Sequence, residues 1–435
     1  MRTKGIHEQK VKVITLGCSK NLVDSENIMT QLQANEIEAV HEGTDDCDVA
    51  IINTCGFIDL AKEESVNTIL DYVDRKQKGQ VEKVYVTGCL SQRYKEDLKR
   101  EIPDVDAWFG TMELPALLQK FETDYRHDLI GDRFLTTVDH YAYLKISEGC
   151  NRTCAFCAIP LMRGKHVSQP IERLVDQARH FARRGVRELV LIAQELTYYG
   201  LDIYKKRALP ELLTALSEVE GIDWIRLHYA YPTKFPLEIL DVMREQPKVC
   251  NYLDIPLQHA ANAVLKRMRR QITREETEAL LQTIRSAVPG IAVRTTMLVG
   301  FPGETESDFE ELVDFVKEQE FDRLGVFAYS HEEDTAAHDF EDDVPEEVKT
   351  DRVNRLMEIQ RNISLKKNHQ RIGARMRVLV DRKEGEYFYG RSEFDSPEVD
   401  NEILIPAESF VRIGDFVDVK IYDALEYDLF GKPIS

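Results

Sequence analysis

The stretch SEGCNRTCAFC, residues 147–157, sets Cys150, Cys154 and Cys157 on one short loop with the spacing C-x3-C-x2-C. A backbone of that length wraps one face of a compact metal cluster and leaves one coordination place open. The loop follows a strand-like run, AYLKIS (142–147), and precedes an amphipathic helical pattern, PIERLVDQARHFARRG (170–185). The same alternation recurs outward along the chain. ELVLIA (188–193), WIRLHY (224–229), YLDIPLQH (252–259), IAVRTTMLVG (291–300) and DRLGVFAYS (322–330) are β-rich runs separated by helical segments. Strand alternating with helix predicts a parallel sheet.

Six such units predict an open or partial (β/α)6 barrel of the TIM type. Its active face lies at the carboxyl ends of the strands, where Glu148, Cys150, Gln194, His228, His259 and Gly300 fall. Zinc is the alternative occupant of the cysteine loop. A structural zinc site closes on four protein ligands, and no second C-x2-C pair lies nearby; His166 is the only nearby candidate for a fourth. A cubane iron-sulfur cluster on three cysteines instead leaves one iron without a protein ligand, able to bind a substrate or cofactor.

Upstream, VKVITLGC (11–18), VAIINTC (49–55) and KVYVTGC (83–89) are β-branched runs, each ending in cysteine and spaced like successive βαβ units. Ligands of such sheets gather beyond the strands' carboxyl ends, so Cys18, Cys55 and Cys89 are expected to converge as a second three-thiolate site. Cys47 and Cys250 fall outside both sets and are expected to pack as small hydrophobes. The charged, aperiodic FETDYRHDLIGDRFLTTVDH (121–140) reads as a linker. PEEVKTDRVNRLMEIQRNISLKKNHQ (345–370) reads as one helix with an acidic start and a basic end, matched to the helix dipole. Beyond it, RMRVLVDRK, YFYGRSEFDSP, EILIPA and DFVDVKIYDALEYDLFG alternate as short strands of a small antiparallel β-barrel. The domain boundaries predicted from these shifts are 1–135, 136–367 and 368–435.

The 435 residues carry 57 basic and 77 acidic side chains, a formal charge of -20, which disfavours generic binding to nucleic acid or to an anionic membrane. The polar opening residues and the lack of a long uncharged apolar run predict a soluble, cytoplasmic protein without a membrane partner. Eight cysteines are too few for a disulfide scaffold in a chain of this length. From Arg371 to Ser435 there are 9 basic and 14 acidic residues, where an RNA-binding barrel normally shows a basic face; a negative one suits a basic protein partner.

The C-x3-C-x2-C loop, with Phe156 before its last cysteine, at the end of the first barrel strand, resembles that of the radical S-adenosylmethionine enzymes. GCSKNLVDSE (17–26), NTCGFI (53–58), TGCLSQRY (87–94) and the C-terminal barrel narrow the resemblance to the methylthiotransferases, whose last domain is a TRAM domain. It spans nearly the whole chain. HYAYLKISEGCNRTCAFCAIP, RLHYAYP, YLDIPLQHA and VGFPGETE further resemble the branch that modifies a ribosomal protein. The resemblance implies two 4Fe-4S clusters, a radical one on Cys150, Cys154 and Cys157 and an auxiliary one on Cys18, Cys55 and Cys89. S-adenosylmethionine is implied as radical source and methyl donor, with sulfur delivered at the auxiliary cluster.

The implied reaction is methylthiolation of the β-carbon of an aspartate in small-subunit ribosomal protein S-twelve, needing an electron donor and a sulfur source but no tRNA substrate. Phe156, Gln194 and Glu195 are implied contacts of S-adenosylmethionine, although the family's common G-G-E triplet is absent at the last two. VGFPGETE (299–306) lacks the lysine and spacing of a P-loop and reads as a tight turn, with Glu304 helping to start the next helix. Arg163, His228, His259 and Arg294 are either substrate or cofactor contacts or satisfied barrel residues. Two other readings stand beside this one: a tRNA adenosine methylthiotransferase of the same architecture, and a non-catalytic, zinc-stabilised protein that binds RNA or the ribosome.

Overall fold

The computed structural model describes residues 9–43, 46–127, 129 and 133–434; the polar opening stretch and part of the expected linker lie outside them. The first sheet contains β1 (Val11–Thr15), β2 (Ala39–His41), β3 (Val49–Thr54), β4 (Lys83–Gly88) and β5 (Ala107–Trp108), all parallel in the order β2-β1-β3-β4-β5. Valine and isoleucine fill β1, β3 and β4 because both faces are covered by helices, so these strands are almost wholly buried. Helices α1 (Ser19–Ala34), α2 (Asp59–Gln77), α3 (Cys89–Glu101) and α4 (Leu114–Leu118) complete this unit. Edge strands β2 and β5 escape sequence reading because they are three and two residues long.

Next come β6 (Tyr141–Lys145), a two-stranded clip of β7 (Ser147–Glu148) and β8 (Val167–Ser168), and the short helix α5 (Ile159–Arg163) between them. Strands β9 (Glu188–Ile192), β10 (Trp224–Leu227), β11 (Val249–Asp254), β12 (Ala292–Val299) and β13 (Arg323–Ala328) join β6 in a parallel sheet ordered β13-β12-β11-β10-β9-β6. All six expected strands are present. Outward residues such as Leu144, Leu191, Ile225, Leu253 and Val293 form the largest apolar core with the surrounding helices. The inward face mixes aliphatic residues such as Val190 and Ile192 with Tyr141, Tyr143, Tyr252, Glu188, Arg226, Arg294 and Arg323. The sheet stays open between β6 and β13.

The helix Glu346–His369 leads to a closed barrel of β14 (Arg375–Glu384), β15 (Tyr387–Arg391), β16 (Glu402–Pro406), β17 (Phe416–Ala424) and β18 (Asp428–Pro433), ordered β14-β15-β16-β18-β17. It is antiparallel except where β16 meets β18. The run after Arg391, expected to continue as strand, instead leaves the barrel. Ser392 to Asn401 inserts against the inner face of the six-stranded sheet, where Asp395 pairs with Arg323, Asp400 with Tyr252 and Arg294, and Ser396 with His228. The Tyr141 and Tyr143 hydroxyls both donate to Glu398 (2.9 and 3.1 Å).

Asp381, Asp395 and Asp400 are buried and matched to arginines or tyrosine, so part of the negative count is internal. The expected linker is also tied down where it is described: Arg133 meets Glu26 at 2.9 Å, Phe134 N donates to Thr30 and Thr136 N to Glu26. Its described part is held by individual contacts to α1, not by a repeating apolar face.

Candidate functional site

Cys18 caps the N-terminus of α1, Cys55 follows β3 and Cys89 opens α3. Parallel pairing of β1, β3 and β4 brings these three strand ends side by side. A methyl group on Gly17, whose φ is +89°, would lie 2.8 Å from Cys55 Sγ, so only glycine permits that approach. Asn21 ties the site together: its Nδ2 donates to the carbonyls of Leu16 and Thr54, while its Oδ1 lies 3.7 Å from Cys89 Sγ. Burial pushes the Cys89 thiol up to about 12 and raises Cys55 as well.

Cys150, Cys154 and Cys157 lie just past β6 on the loop that the clip β7–β8 holds in place. Cys150 N donates to Gly164 O, and Cys157 N to Cys154 O. Cys154 Sγ is 3.4 Å from the Tyr231 hydroxyl, and Arg270 Nη1 donates to that sulfur at 3.4 Å. Arg270 also stacks on Tyr231, and Arg152, on the cysteine loop itself, lies between the Tyr198 and Tyr231 rings. Burial pushes Cys150 up to about 11 and Cys157 up to about 12.

Among the described residues no three His, Cys, Asp or Glu side chains converge tightly enough to hold one metal ion. His166 is engaged elsewhere, with Nε2 3.1 Å from Ser168 Oγ.

The two cysteine sets are neighbours. Cys89 packs against Ala158 and Met162, immediately past Cys157 on α5. At the end of α5, Arg163 reaches across to Asp24 and Asn21 on α1, with Glu148 3.5 Å away. Lys145 bridges Asp24 and Glu148, and Gln194 Nε2 donates to Glu148 at 2.5 Å. The neighbouring carboxylates hold Arg163 protonated against the opposing cost of burial. Of these residues, Asp24, Lys145 and Tyr231 lie inside the quoted motifs but carry no spacing signal, and Arg270 lies outside them.

Other expected site residues divide. Phe156 packs half-buried beside Ala155, Ala261 and Met268. Gln194 keeps a buried Oε1 without a hydrogen-bond partner among the described residues. Glu195 accepts from Thr197 N and Oγ1 and from Arg152, so it also caps the short turn Leu196–Tyr198. His228 and Arg294 face the inserted Ser392–Asn401 segment, the satisfied-residue alternative. His259 bonds the Ala261 amide through Nδ1 and stands 3.7 Å from Glu304. Glu304 does not start the following helix: Thr305 caps it in a reciprocal pair with Asp308, while Glu304 turns back to accept from Gly300 N and Phe301 N and to pair with Arg352.

Residues 144–316 match the radical SAM superfamily, 10–110 the Uncharacterized protein family UPF0004 and 372–434 the TRAM domain. In fold the chain is similar to the radical S-adenosylmethionine methyltransferase TsrM of Kitasatospora setae, with TM-score 0.55, 13% identity and coverage of 73% of this chain and 72% of that one. Fold and sequence together define a radical S-adenosylmethionine enzyme carrying a TRAM domain. The ribosomal protein uS12 methylthiotransferase RimO of Cytophaga hutchinsonii is 61% identical over 437 residues, covering all of both chains. That of Bacteroides fragilis is 52% identical over 98% of this chain and 99% of its own. The chain belongs to the RimO family of methylthiotransferases.

Proposed function

We propose that this protein transfers a methylthio group to the β-carbon of an aspartate in ribosomal protein uS12, with S-adenosylmethionine as radical source and methyl donor. The observation that carries the reading is the adjacency of two three-cysteine sets across α5, tied by the Arg163, Asp24 and Glu148 network. Cys150, Cys154 and Cys157 would hold one 4Fe-4S cluster and Cys18, Cys55 and Cys89 a second. The chemistry these groups supply when bound is one-electron cleavage of S-adenosylmethionine to a hydrogen-abstracting radical at the first, and a sulfur to replace the abstracted hydrogen at the second.

The chain's own residues orient and enclose that chemistry. Arg270 and Tyr231 hold the Cys154 sulfur, and the clip β7–β8 fixes the loop. Gln194, through its unpaired Oε1, would accept a hydrogen bond from S-adenosylmethionine, with Phe156 lying beside the adenine and Glu195 orienting Arg152. Arg163 keeps the two cysteine sets in register. The Ser392–Asn401 insertion closes the sheet's inner face and helps keep water from the radical.

The proposed domains are 1–135, 136–367 and 368–435, supported by the extents of the three family matches. An electron donor, a sulfur source and a cytoplasmic setting follow from the same reading; no described helix is long and apolar enough to cross a membrane. The test is the intact mass of uS12, together with a tRNA nucleoside profile, from cells with and without the gene. Loss of one methylthio group from uS12 with tRNA unchanged is expected. Loss of a methylthiolated nucleoside instead would overturn the choice of substrate.

A further inference from the structure

Lys20 is two residues past Cys18 and 7% exposed. Its ammonium lies 2.9 Å from the centre of the Tyr229 ring, and no carboxylate among the described residues forms an ion pair with it. Other buried cations near the cysteine sites are spoken for: Arg163 and Lys145 by Asp24 and Glu148, Arg152 by Glu195, and Arg270 by Cys154 Sγ and the Pro256 carbonyl. The carboxylates there are likewise taken. Asp254 pairs with Arg294, and Glu398 accepts from the Tyr141 and Tyr143 hydroxyls. Among the described residues Lys20 thus has the Tyr229 ring and no carboxylate partner, and a buried charge is costly without a counter-charge.

Its position is equally specific. Tyr229 follows the end of β10, its amide donating to Asp254 and its carbonyl accepting from Leu196 N, on the rim that carries Gln194 and Glu195. Tyr229 is held at a φ of +64°, uncommon for an aromatic residue, and backbone strain of this kind collects at functional sites. On its other side Lys20 adjoins Asn21, which contacts Cys89 Sγ and Arg163. The ammonium therefore stands between the Cys18, Cys55 and Cys89 set and the rim of the six-stranded sheet.

We infer that Lys20 is the specificity residue that receives the side-chain carboxylate of the target aspartate, with the Tyr229 ring holding the ammonium ready. The inference rests on the substrate reading proposed above. The bond formed is a charge-assisted hydrogen bond to the carboxylate, which leaves the neighbouring β-carbon free to react. Asparagine in the target's place offers a neutral acceptor and leaves Lys20 uncompensated. Discrimination between the two is then the property Lys20 confers.

The experiment measures binding of labelled uS12, and of uS12 with the target aspartate changed to asparagine, to the cluster-loaded enzyme with S-adenosylmethionine under anaerobic conditions. Wild-type protein is expected to bind the aspartate form roughly tenfold tighter. Lys20→Met, which keeps the apolar stem, is expected to bind both forms equally, and Lys20→Arg to retain part of the preference. A Lys20→Met protein with the full wild-type preference, or one weakened equally toward both forms, overturns the assignment, as does a wild type without preference. The two readings fail separately: uS12 left unmodified by wild-type enzyme overturns the substrate, whereas modified uS12 with unaltered discrimination overturns Lys20 alone.

Discussion

Glu188, the first residue of β9, has a fully buried side chain that accepts from Arg226 Nε and from Arg391 Nη1, both at 2.7 Å. Arg391 belongs to the C-terminal barrel and continues the network through Asp381 to His140. Glu188→Gln keeps the shape and removes one negative charge. Arg391 retains Asp381, but Arg226 loses its only carboxylate among the described residues and keeps the carbonyls of Ser392 and Glu393. Losing one side of a buried pair costs about 3–5 kcal/mol, and taking the middle of that range gives about 4. Because the barrel's insertion hangs on this network, the cost falls on docking. Unfolding of a multidomain chain is not a two-state process, so local opening is the better measure.

The assay is amide hydrogen exchange across β15 and the segment to Asn401. A loss of about 4 kcal/mol corresponds to roughly a thousandfold faster exchange wherever that docking limits opening. Adding Arg391→Met to the variant tests the pairing itself, since the second change is expected to cost less in the Glu188→Gln background than alone. Exchange within threefold of wild type in Glu188→Gln, or costs that simply add, would refute the claim that this buried charge network docks the barrel.

Three further outcomes are expected. Cys89→Ala is expected to abolish methylthio transfer while retaining some reductive cleavage of S-adenosylmethionine, and Cys150→Ala to lose both; undiminished product from Cys89→Ala would remove that residue from the mechanism. Gly149 has φ +77° and a methyl group there would meet Lys165 O at 2.2 Å, so Gly149→Ala is expected to disorder the cysteine loop and lower bound iron, measured against protein concentration. Burial raises the Glu304 carboxyl from 4.5 to about 7, opposed by Arg352 and two amide donors. The folded state then holds a proton that the unfolded state has lost, so this contribution is present below pH 4.5 and disappears as pH rises through 7. It amounts to at most roughly 3.4 kcal/mol. The stability difference between wild type and Glu304→Gln should therefore shift between pH 5 and 8, and a constant difference would contradict the assignment.

Much of the architecture was legible locally. Strands β1, β3 and β4 read clearly because parallel strands covered on both faces must be apolar throughout, and each run stops at its cysteine. The C-x3-C-x2-C spacing is likewise a property of one loop, and the six β/α units follow from alternating periods. The helix Glu346–His369 announced itself by its charge gradient. Short edge strands and individually paired segments such as the one around Arg133 carry no period and left no comparable trace.

What tertiary structure alone decided is which charges meet. Glu188 opens an apolar strand run and Asp400 sits in a loop, and nothing in their neighbours' identities distinguishes either from a solvated acid. Both are buried because residues from the C-terminal barrel reach the inner face of the central sheet, Arg391 to Glu188 and Asp400 to Tyr252. The acidic count of the barrel consequently overstated its surface charge. The join between the cysteine sets through Arg163, and the unpaired ammonium of Lys20, belong to the same class of fact. Periodicity records burial along one element, whereas ion pairing across elements depends on the packed arrangement of the whole chain.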